Sequence, residues 1–390
     1  MTVEDSKRLR SEAGVEEAAL ELHRRLAGKV SVAPKAELTE ETLELLYTPG
    51  VGAVSRHLAH DAGDARELTW KGNTVAIVSD GSAVLGLGDE GPLAALPVLE
   101  GKALLYKALA GVDAIPIALD VVGCDELVAA TRALAPAFGA INLEDIKAPG
   151  CFEIERRLRK TLDVPVVHDD QHGTAVVVLA ALLNAARVTE RELRDLRVAI
   201  MGAGAGGAAT ARLLRAHGVK RISVTDSKGA LGPARGDLDK AKQALVDDLG
   251  LDGQGAARDV IAGADVIVGL SVPSAFSCED VATMSDNAIV FALANPEPEV
   301  EPDEARGAGA AVVATGRSDH PNQVNNVLAF PGLFRGALDA GLGEIDEAAL
   351  LRAAQALAEL VESPNAESIL PRVLDERVVP AVAAAVRGTG

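Results

Sequence analysis

"VAIMGAGAGGAATARLL", residues 198–214, is the stretch that decides the fold of this chain. An apolar run typical of a β-strand leads into a glycine-rich turn, and an alanine-rich run typical of a helix follows. Gly202, Gly204 and Gly207 have the spacing G-x-G-x-x-G. The first glycine permits a tight turn, the second lets the backbone approach a pyrophosphate, and the third lets the helix pack closely on the strand. The stretch therefore predicts a Rossmann-type dinucleotide-binding fold.

The residues after this turn bear on the choice of dinucleotide. Asp226 closes the next strand-like run, "RISVTD", about 20 residues further on, as the dinucleotide fingerprint requires. Its carboxylate can accept hydrogen bonds from ribose hydroxyls and would repel a 2′-phosphate, which favours NAD. Ser227 and Lys228 follow directly and can hold such a phosphate, so NADP remains open. The alternative is a glycine turn that binds nothing, and the strand, helix and acidic residue around it argue against that alternative.

Strand-like and helix-like runs also alternate before this stretch. The strand-like runs are "TVAIVSD" (74–80), "AIPIALD" (114–120), "GAINLED" (139–145) and "VPVVHD" (164–169), with helical spacing in the intervals. Such alternation predicts parallel βαβ units in an α/β protein. A chain of 390 residues is expected to form two domains. We assign an α/β substrate domain to residues 1–160 and a doubly wound dinucleotide-binding domain with a helical C-terminal tail to residues 161–390.

Composition and charge restrict the class of protein. Hydrophobic residues make up 48% of the chain but aromatic residues only 2%, which predicts aliphatic cores. The net charge of −19 repels nucleic-acid phosphates and anionic lipid headgroups, so we expect neither a nucleic-acid nor a membrane partner. Three cysteines without C-x-x-C spacing indicate neither a disulfide framework nor a zinc site. The charged start of the chain lacks the apolar core of a signal peptide, and we expect a cytoplasmic protein.

Four acidic residues stand where two of the strand-like runs end. Glu144 and Asp145 follow "GAINL", and Asp169 and Asp170 follow "VPVVH". A helical run joins the two strands, so they should be parallel, and neighbouring strands lie about 4.8 Å apart. Ligands bind at the carboxyl ends of strands in open α/β sheets. Four carboxylates there require protons or a cation, and oxygen ligands suit Mg²⁺ or Mn²⁺ better than zinc.

Each of these acidic residues also has a structural explanation. Asp170 can be the N-cap of the following helix, and Glu144 and Asp145 can form a solvated turn. Two acidic pairs at successive strand ends beside a dinucleotide fold favour the cation. His168 and His172 flank the pairs, but the alternation of the strand points His168 away, and we give it no ligand role.

A lysine and a tyrosine are further candidates for chemistry. Lys102 lies inside the apolar helical stretch "VLEGKALLYKALAG", and Tyr47 precedes Thr-Pro-Gly at a helix end. A lysine buried beside a dication would have its pKa lowered by desolvation and by like charge, so that it could act as a neutral base. Lys102 can equally extend to solvent, and Tyr47 can be a packing residue with a hydrated hydroxyl.

The order of the motifs along the chain is distinctive. They are YTPGV, DGSAVLGLGDEG, EGKALLYKALAGVDA, NLEDI, HDDQHGTA, GAGAGG, ANPEPEV and NNVLAFPG. In this order they closely resemble the malic enzymes in their short bacterial form, over about residues 35–385. Several of the motifs are long, so their joint order is far more specific than the glycine loop alone.

The resemblance implies a metal- and NAD(P)-dependent oxidative decarboxylation of (S)-malate to pyruvate and CO₂. In that reaction Lys102 would be the base and Tyr47 the general acid. The resemblance further implies a homodimer or a larger homo-oligomer, in which Tyr47 or Lys102 reaches a neighbouring subunit's site. The other implied residues are the Mg²⁺ or Mn²⁺ ligands Glu144, Asp145 and Asp170, with Asp169 beside them, and Asn295, Asn325 and Asn326 at the substrate, with Asn295 also at the cofactor.

One departure from the family and two rival functions remain open. Ala83 stands where many larger members have an arginine that binds the substrate carboxylate, so backbone amides of Gly86 or Gly88 would have to help. A redox-neutral conversion of malate to lactate would use the same site. A non-catalytic dinucleotide-binding regulator would have lost chemical groups, whereas Tyr47, Lys102 and the acidic residues are all present.

Overall fold

The computed structural model describes residues 3–84 and 86–388. The strands are β1 (Thr74–Ser79), β2 (Asp113–Ala118), β3 (Ala140–Leu143), β4 (Val166–His168), β5 (Arg197–Met201), β6 (Arg221–Asp226), β7 (Gly229–Ala230), β8 (Val266–Gly269), β9 (Ile289–Ala292) and β10 (Val312–Thr315). The α-helices are α1 (Val3–Leu26), α2 (Glu40–Leu46), α3 (Val51–His60), α4 (Ala65–Leu68), α5 (Pro92–Ala110), α6 (Gly123–Leu134), α7 (Gly150–Thr161), α8 (Asp169–Val188), α9 (Ala205–His217), α10 (Lys240–Leu249), α11 (Ala257–Ile261), α12 (Cys278–Val281), α13 (Pro302–Gly307), α14 (Phe330–Ala340), α15 (Glu347–Glu359) and α16 (Val378–Arg387).

Two sheets organise these elements. The first has the strand order β2-β1-β3-β4, and its neighbouring strands are parallel. The second has the order β10-β9-β8-β5-β6-β7, in which the short β7 is antiparallel to β6. The order reverses next to β5, which is the position where doubly wound sheets bind ligands. The predicted α/β class with parallel βαβ units and a doubly wound second sheet is confirmed.

Aliphatic side chains pack the strands against the helices. All six residues of β1 are buried, and so are the residues of β8, β9 and β10. Helix α8 begins where the first sheet ends, is buried over its apolar stretch, and packs on α9 and α15. The predicted domain boundary at residue 160 precedes β4, which pairs with β3, so the first sheet extends to His168. None of the helices in the described ranges combines the length and the apolar character that a membrane crossing requires.

The helices before β1 bury little surface in the single chain. Neither α2 nor α3 contains a buried residue. Several apolar side chains of this region are exposed instead, including Leu45 (72%), Leu46 (56%) and Tyr47 (67%). Exposed apolar side chains grouped in this way are typical of a surface that contacts another molecule.

Candidate active site

The glycine-rich turn between β5 and α9 has the conformation that the sequence predicts. Gly202 has a φ of +119°, and a Cβ there would lie 2.3 Å from the carbonyl oxygen of Leu270. A Cβ on Gly207 would lie 1.8 Å from the carbonyl oxygen of Gly202, so α9 can approach the strand only at a glycine. A Cβ on Gly204 would meet no described atom within 4 Å, which leaves room for a pyrophosphate.

A cavity of about 620 Å³ opens at this turn. Gly202, Gly204 and Asp226 line it, as the dinucleotide fingerprint requires. Pro149 and Phe152 also line it, so the segment that follows β3 contributes to the same cavity. The cavity lies at the carboxyl ends of β5 and β6, which is where open α/β sheets bind ligands.

Asp226 is held by two cations that lie further along the chain. Arg235 donates to both carboxylate oxygens, at 3.1 and 3.2 Å, and Lys242 donates to Oδ2 at 2.7 Å. Burial alone would raise the pKa of Asp226, but the hydrogen bonds from Arg235 and Lys242 lower it to about 2. The charge of Asp226 is therefore compensated, and the electrostatic reason for favouring NAD over NADP is removed.

The two acidic pairs meet where β3 and β4 end. The strands are neighbours with Leu143 opposite His168, so the residues that follow lie side by side. Glu144, Asp145 and Asp170 each place a carboxylate oxygen within 4.8 Å of the other two. The backbone N–H of Asp145 donates to Asp170 Oδ2 at 3.1 Å, which fixes the two turns against each other. Both pairs thus reach one edge of the sheet, as the sequence predicts.

The electrostatics of these acids fit a divalent cation. Burial raises the pKa of Glu144 to about 8; the ammonium of Lys102 opposes this shift, and the carboxylates of Asp170, Asp169 and Asp145 add to it. A buried carboxylate among others must either take up a proton or share a cation. Oxygen ligands at this spacing are those that Mg²⁺ and Mn²⁺ prefer.

Lys102 is the buried cation of this cluster. Its side chain on α5 is 8% exposed, and its ammonium contacts Glu144 Oε2 and, at 2.6 Å, Asp169 Oδ2. Burial lowers the pKa of Lys102, but the charges of Asp169 and Glu144 outweigh that effect and raise the pKa above its usual value. The lowered pKa that the sequence analysis expects applies to a lysine beside a bound dication, and it stays a prediction. The alternative in which Lys102 extends to solvent is wrong.

His168 and Asp170 also differ from the sequence predictions. The His168 ring is fully buried, and its Nε2 lies 3.1 Å from Asp170 Oδ2, so the ring faces the cluster. The alternation of the strand fails here because β4 ends at His168 and the chain turns into α8. Burial would raise the pKa of Asp170, but the His168 ring lowers it. Asp170 lies inside the first turn of α8, whose N-cap is His168, so Asp170 is not an N-cap.

Asn326 reaches the cluster from the segment before α14. Its Nδ2 donates to Asp169 Oδ2 at 3.1 Å and to Thr174 Oγ1 at 3.2 Å. Asn325 has a different task, because its Oδ1 accepts from the backbone N–H of Val327 at 3.0 Å and caps a short 3₁₀ turn. The structure therefore brings Asn326, and not the side chain of Asn325, into contact with the acidic residues by a hydrogen bond.

Tyr47 and Asn295 lie outside the cluster. Tyr47 is 67% exposed at the end of α2, and no hydrogen bond between described residues joins its hydroxyl to the acidic residues. Asn295 is exposed, and its carbonyl oxygen would lie 2.5 Å from a Cβ on Gly86, so the loop around Gly86 adjoins the Asn295 turn. The roles of Tyr47 and Asn295 stay predictions.

The dinucleotide turn and the acidic cluster touch each other. A Cβ on Gly206 would lie 3.2 Å from Thr174 Cγ2 and 3.3 Å from the carbonyl oxygen of Asp170. Both of these atoms belong to the first two turns of α8, which also carry Asp169. The cavity for a dinucleotide and the carboxylates are thus adjacent parts of one site.

Comparison with known proteins agrees with this geometry. Residues 27–124 match the family model "Malic enzyme, N-terminal domain", and residues 171–389 match "Malic enzyme, NAD binding domain". The chain belongs to the malic enzyme family. It is 48% identical to the bifunctional malic/malolactic enzyme of Bacillus subtilis, over 95% of this chain and 92% of that protein.

Members of the malic enzyme family with either cofactor are similar to this chain. The NADP-dependent malic enzyme of Escherichia coli is 43% identical over 95% of this chain and 52% of that protein. The crystal structure of the NAD-dependent malic enzyme of Thermotoga maritima is 45% identical, covers 95% of this chain and 99% of that chain, and has a TM-score of 0.91. The resemblance drawn from the motifs is confirmed.

Two polar residues that the sequence analysis missed support Glu144. Asn142 donates from Nδ2 to Glu144 Oε2 at 2.9 Å, and the hydroxyl of Tyr106 donates to Asn142 Oδ1 at 2.8 Å. Asn142 is a polar residue inside a buried strand, and Tyr106 lies four residues after Lys102 on the same face of α5. Both residues could have been singled out in the sequence, because a polar side chain in a buried element requires a hydrogen-bond partner.

Glu155 is a third missed residue, and it supports the turn that carries Asp169 and Asp170. Its carboxylate is buried on α7, accepts from the backbone N–H of His168 at 3.0 Å and from Gln171 Nε2 at 3.1 Å, and lies 2.9 Å from His172 Nε2. The signal in the sequence was its spacing: residues 151, 154, 155 and 158 form the buried face of α7, and a glutamate occupies one of these positions.

Proposed function

We propose that the chain catalyses the oxidative decarboxylation of (S)-malate to pyruvate and CO₂, with a divalent cation and with NAD or NADP as the hydride acceptor. The observation that carries this proposal is the meeting of three carboxylates and a buried lysine beside a cavity that suits a dinucleotide. A dinucleotide-binding protein without catalysis would have no need of a buried lysine among acids, which is costly unless every charge is compensated.

Glu144, Asp145 and Asp170 would hold Mg²⁺ or Mn²⁺, because hard cations prefer oxygen ligands and the cluster is negative overall. A cation bound there supplies Lewis-acid chemistry, which acidifies the substrate hydroxyl and stabilises the negative charge left when CO₂ departs. Asp169 is engaged with Lys102 and Asn326, so we assign it to their positioning rather than to the cation.

Lys102 is the residue to which we assign removal of the proton from the C2 hydroxyl. A base must be neutral, and contacts with Glu144 and Asp169 favour its charged form. Glu144 is also a proposed cation ligand, so its charge would be compensated in the complete site, and burial would then lower the pKa of Lys102. Deprotonation of Lys102 is thereby coupled to assembly of the site.

We assign Tyr47 as a proton donor that acts in the active site of a second copy of the chain. It is exposed beside the exposed residues Leu45 and Leu46, on helices that contain no buried residue. In a homodimer this surface would be covered, and Tyr47 would enter the neighbouring site and protonate C3 after CO₂ has left. Asn295 and Asn326 would bind the substrate between the substrate domain and the dinucleotide-binding domain, as the resemblance to the malic enzymes implies.

A second candidate function is the redox-neutral conversion of malate to lactate. The relative from Bacillus subtilis is a bifunctional malic/malolactic enzyme, which favours this possibility. The reaction would use the same residues, with the reduced cofactor retained and returning its hydride to pyruvate.

An assay of the purified protein tests both candidates. Malate is supplied with NAD or NADP, in Mn²⁺ or in EDTA, and NAD(P)H, pyruvate and lactate are measured. We expect NAD(P)H and pyruvate in equal amounts, and only with Mn²⁺. Lactate without net NAD(P)H would favour the second candidate, and full turnover in EDTA would contradict the cation.

A further inference from the structure

Glu299 is a buried acid that joins the ends of two neighbouring strands of the second sheet. Its side chain belongs to a residue that is 1% exposed. Oε1 accepts from the backbone N–H of Ser271 at 3.0 Å, and Oε2 accepts from the backbone N–H of Ala294 at 2.9 Å. Strands β8 and β9 are paired up to Gly269 opposite Ala292, so both N–H groups lie just beyond the last paired residues. Glu299 therefore holds the two segments that leave the sheet at one spacing.

Two observations indicate that this position is made for a carboxylate. A Cβ on Gly269 would lie 2.4 Å from Glu299 Cδ, so β8 ends in a residue that leaves room for the acid. The described hydrogen-bond donors to Glu299 are all neutral groups, and burial raises its pKa. A buried acid without a partner cation is costly, whereas a glutamine would avoid the charge but would offer one acceptor oxygen instead of two. The contact with both strand ends is therefore what the carboxylate contributes.

The segment after β8 forms one wall of the dinucleotide cavity. Leu270, Ser271 and Val272 line this wall, and β8 and β6 flank β5 on opposite sides. In doubly wound sheets each half of the sheet binds one half of the dinucleotide, and the acidic residue after the second strand, here Asp226, marks the adenosine half. Ser271 therefore faces the nicotinamide half.

The segment after β9 leads to the proposed substrate residue Asn295. Ala294, whose N–H donates to Glu299, is buried, and Asn295 follows it directly and is exposed. The loop around Gly86 lies against this turn, because a Cβ on Gly86 would be 2.5 Å from the carbonyl oxygen of Asn295. A shift of Ala294 would therefore displace Asn295 from its place beside the Gly86 loop.

We propose that Glu299 is a positioning residue that sets the distance between the nicotinamide half of the dinucleotide, through Ser271, and the substrate, through Asn295. It acts through these two residues and contacts neither ligand itself. The inference rests on the proposed oxidation of malate, because hydride transfer requires the substrate and the nicotinamide to be held in a fixed geometry.

Two ligands that differ in the nicotinamide half test the Ser271 contact without turnover. NADH is titrated by its fluorescence and adenosine 5′-monophosphate by calorimetry, against the full chain and against Glu299→Gln. A glutamine oxygen can accept at one strand end only, so we expect NADH to bind about tenfold more weakly. Adenosine 5′-monophosphate should bind within about twofold of its original affinity, because the adenosine half lies on the other side of β5. Glu297→Gln, an exposed position in the same loop, is the matched control and should change neither affinity.

Steady-state kinetics test the Asn295 contact. At saturating dinucleotide, Glu299→Gln should raise the KM for malate about fivefold or more. Gly204→Ala is the comparison, because it disturbs the pyrophosphate alone and should leave the KM for malate within about twofold. Glu299→Asp keeps the charge but is shorter by one methylene, so it too should fail to reach both strand ends and should behave as Glu299→Gln does. It also carries the same measurements if Glu299→Gln does not fold.

The ratio of the two affinities separates positioning from a merely structural role. Losses of NADH and adenosine 5′-monophosphate affinity that are equal in a folded variant would overturn the proposal. Unchanged NADH affinity, or an unchanged KM for malate, would overturn it as well. A selective loss of NADH affinity in a protein that does not oxidise malate would instead support the Ser271 contact and contradict the proposed function.

Discussion

Lys102 and Glu144 are charged groups that the protein buries in direct contact. Each stabilises the ionised form of the other, and burial disfavours both ionised forms. Removing one partner of a buried pair leaves an uncompensated charge, which is strongly destabilising. Two further hydrogen bonds support the pair: Asn142 donates to Glu144, and Lys102 also donates to Asp169. At the residue scale, these hydrogen bonds hold the carboxylate of Glu144 in the position that the proposed cation site requires.

Lys102→Ala is expected to lower kcat by about 10²- to 10⁴-fold, the range for loss of a general base. The dissociation constant for NADH should stay near that of the unmodified chain, because Lys102 does not line the dinucleotide cavity. Stopped-flow kinetics and NADH fluorescence measure the two quantities. Lys107→Ala, on the exposed face of the same helix, is the control. Equal losses of turnover and of NADH binding would refute the role of Lys102 as base.

The raised pKa of Glu144 predicts a pH dependence. Between its ordinary value of 4.5 and its folded-state value of about 8, the folded protein keeps a proton that the unfolded chain has lost. Without a divalent cation, stability should therefore fall as the pH rises through this window. A cation competes with that proton, so Mn²⁺ affinity should rise by up to about tenfold per pH unit. Calorimetry with Mn²⁺ at pH 6, 7 and 8 measures this, and a flat profile would contradict it.

At the scale of the element, two glycines of the glycine-rich turn have different roles: Gly204 leaves room for a pyrophosphate, and Gly207 lets α9 pack on the strand. Gly204→Ala adds a methyl group where the protein has space, so stability should change by less than about 0.5 kcal/mol. NADH affinity should nevertheless fall about tenfold, because the methyl group meets the pyrophosphate. Gly207→Ala forces a Cβ onto the carbonyl of Gly202 and should cost about 1–3 kcal/mol of stability. Thermal unfolding and NADH titration of the two variants check this, and equal destabilisation by both would contradict it.

The connection from β4 into α8 depends on one carboxylate of a neighbouring helix. Glu155→Gln would remove the charge on which the His168 N–H, Gln171 and His172 converge, at a cost of about 2 kcal/mol. Because this turn carries Asp170, we expect Mn²⁺ affinity to fall with stability. Glu153→Gln, on the exposed face of α7, should change neither. Unfolding curves and Mn²⁺ titrations provide the measurement, and unchanged Mn²⁺ affinity in Glu155→Gln would contradict a positioning role.

At the scale of the whole molecule, α8 begins at the end of the first sheet and lies against the glycine-rich segment that follows β5, and the candidate site lies at that junction. The buried part of the site, from Lys102 to Asn326, belongs to a single chain. Tyr47, by contrast, is 67% exposed in the single chain and lies outside the acidic cluster. A symmetric dimer would use the same surface on both copies and build two equivalent sites.

Mixing two inactive variants tests this assembly. Tyr47→Phe and Lys102→Ala are each expected to lose most activity when alone. In a mixed dimer with shared sites, the Tyr47→Phe chain keeps its own Lys102 and receives Tyr47 from the other copy, so about half of the mixed dimers' sites are intact. Activity should therefore reappear when the two variants are denatured and refolded together. Its absence, with mixed dimers present by native mass spectrometry, would place Tyr47 in its own chain's site.

The sequence alone determined the features that depend on local pattern. Periodicity located β1 to β4 and the helices between them, and glycine spacing located the dinucleotide turn, because strands, helices and tight turns are set by neighbouring residues. The meeting of the two acidic pairs was also predictable, since a short βαβ connection brings the ends of its strands to one edge.

Only the tertiary structure decided which side chains face one another. Lys102 and Asp169 are 67 residues apart, and Asn326 and Asp169 are 157 apart. A periodic pattern states which face of an element is buried, but it does not name the group across the core that compensates a charge. For that reason the orientation of His168 was wrong, and the contacts of Lys102 with two carboxylates and of Asp226 with Lys242 were not predicted.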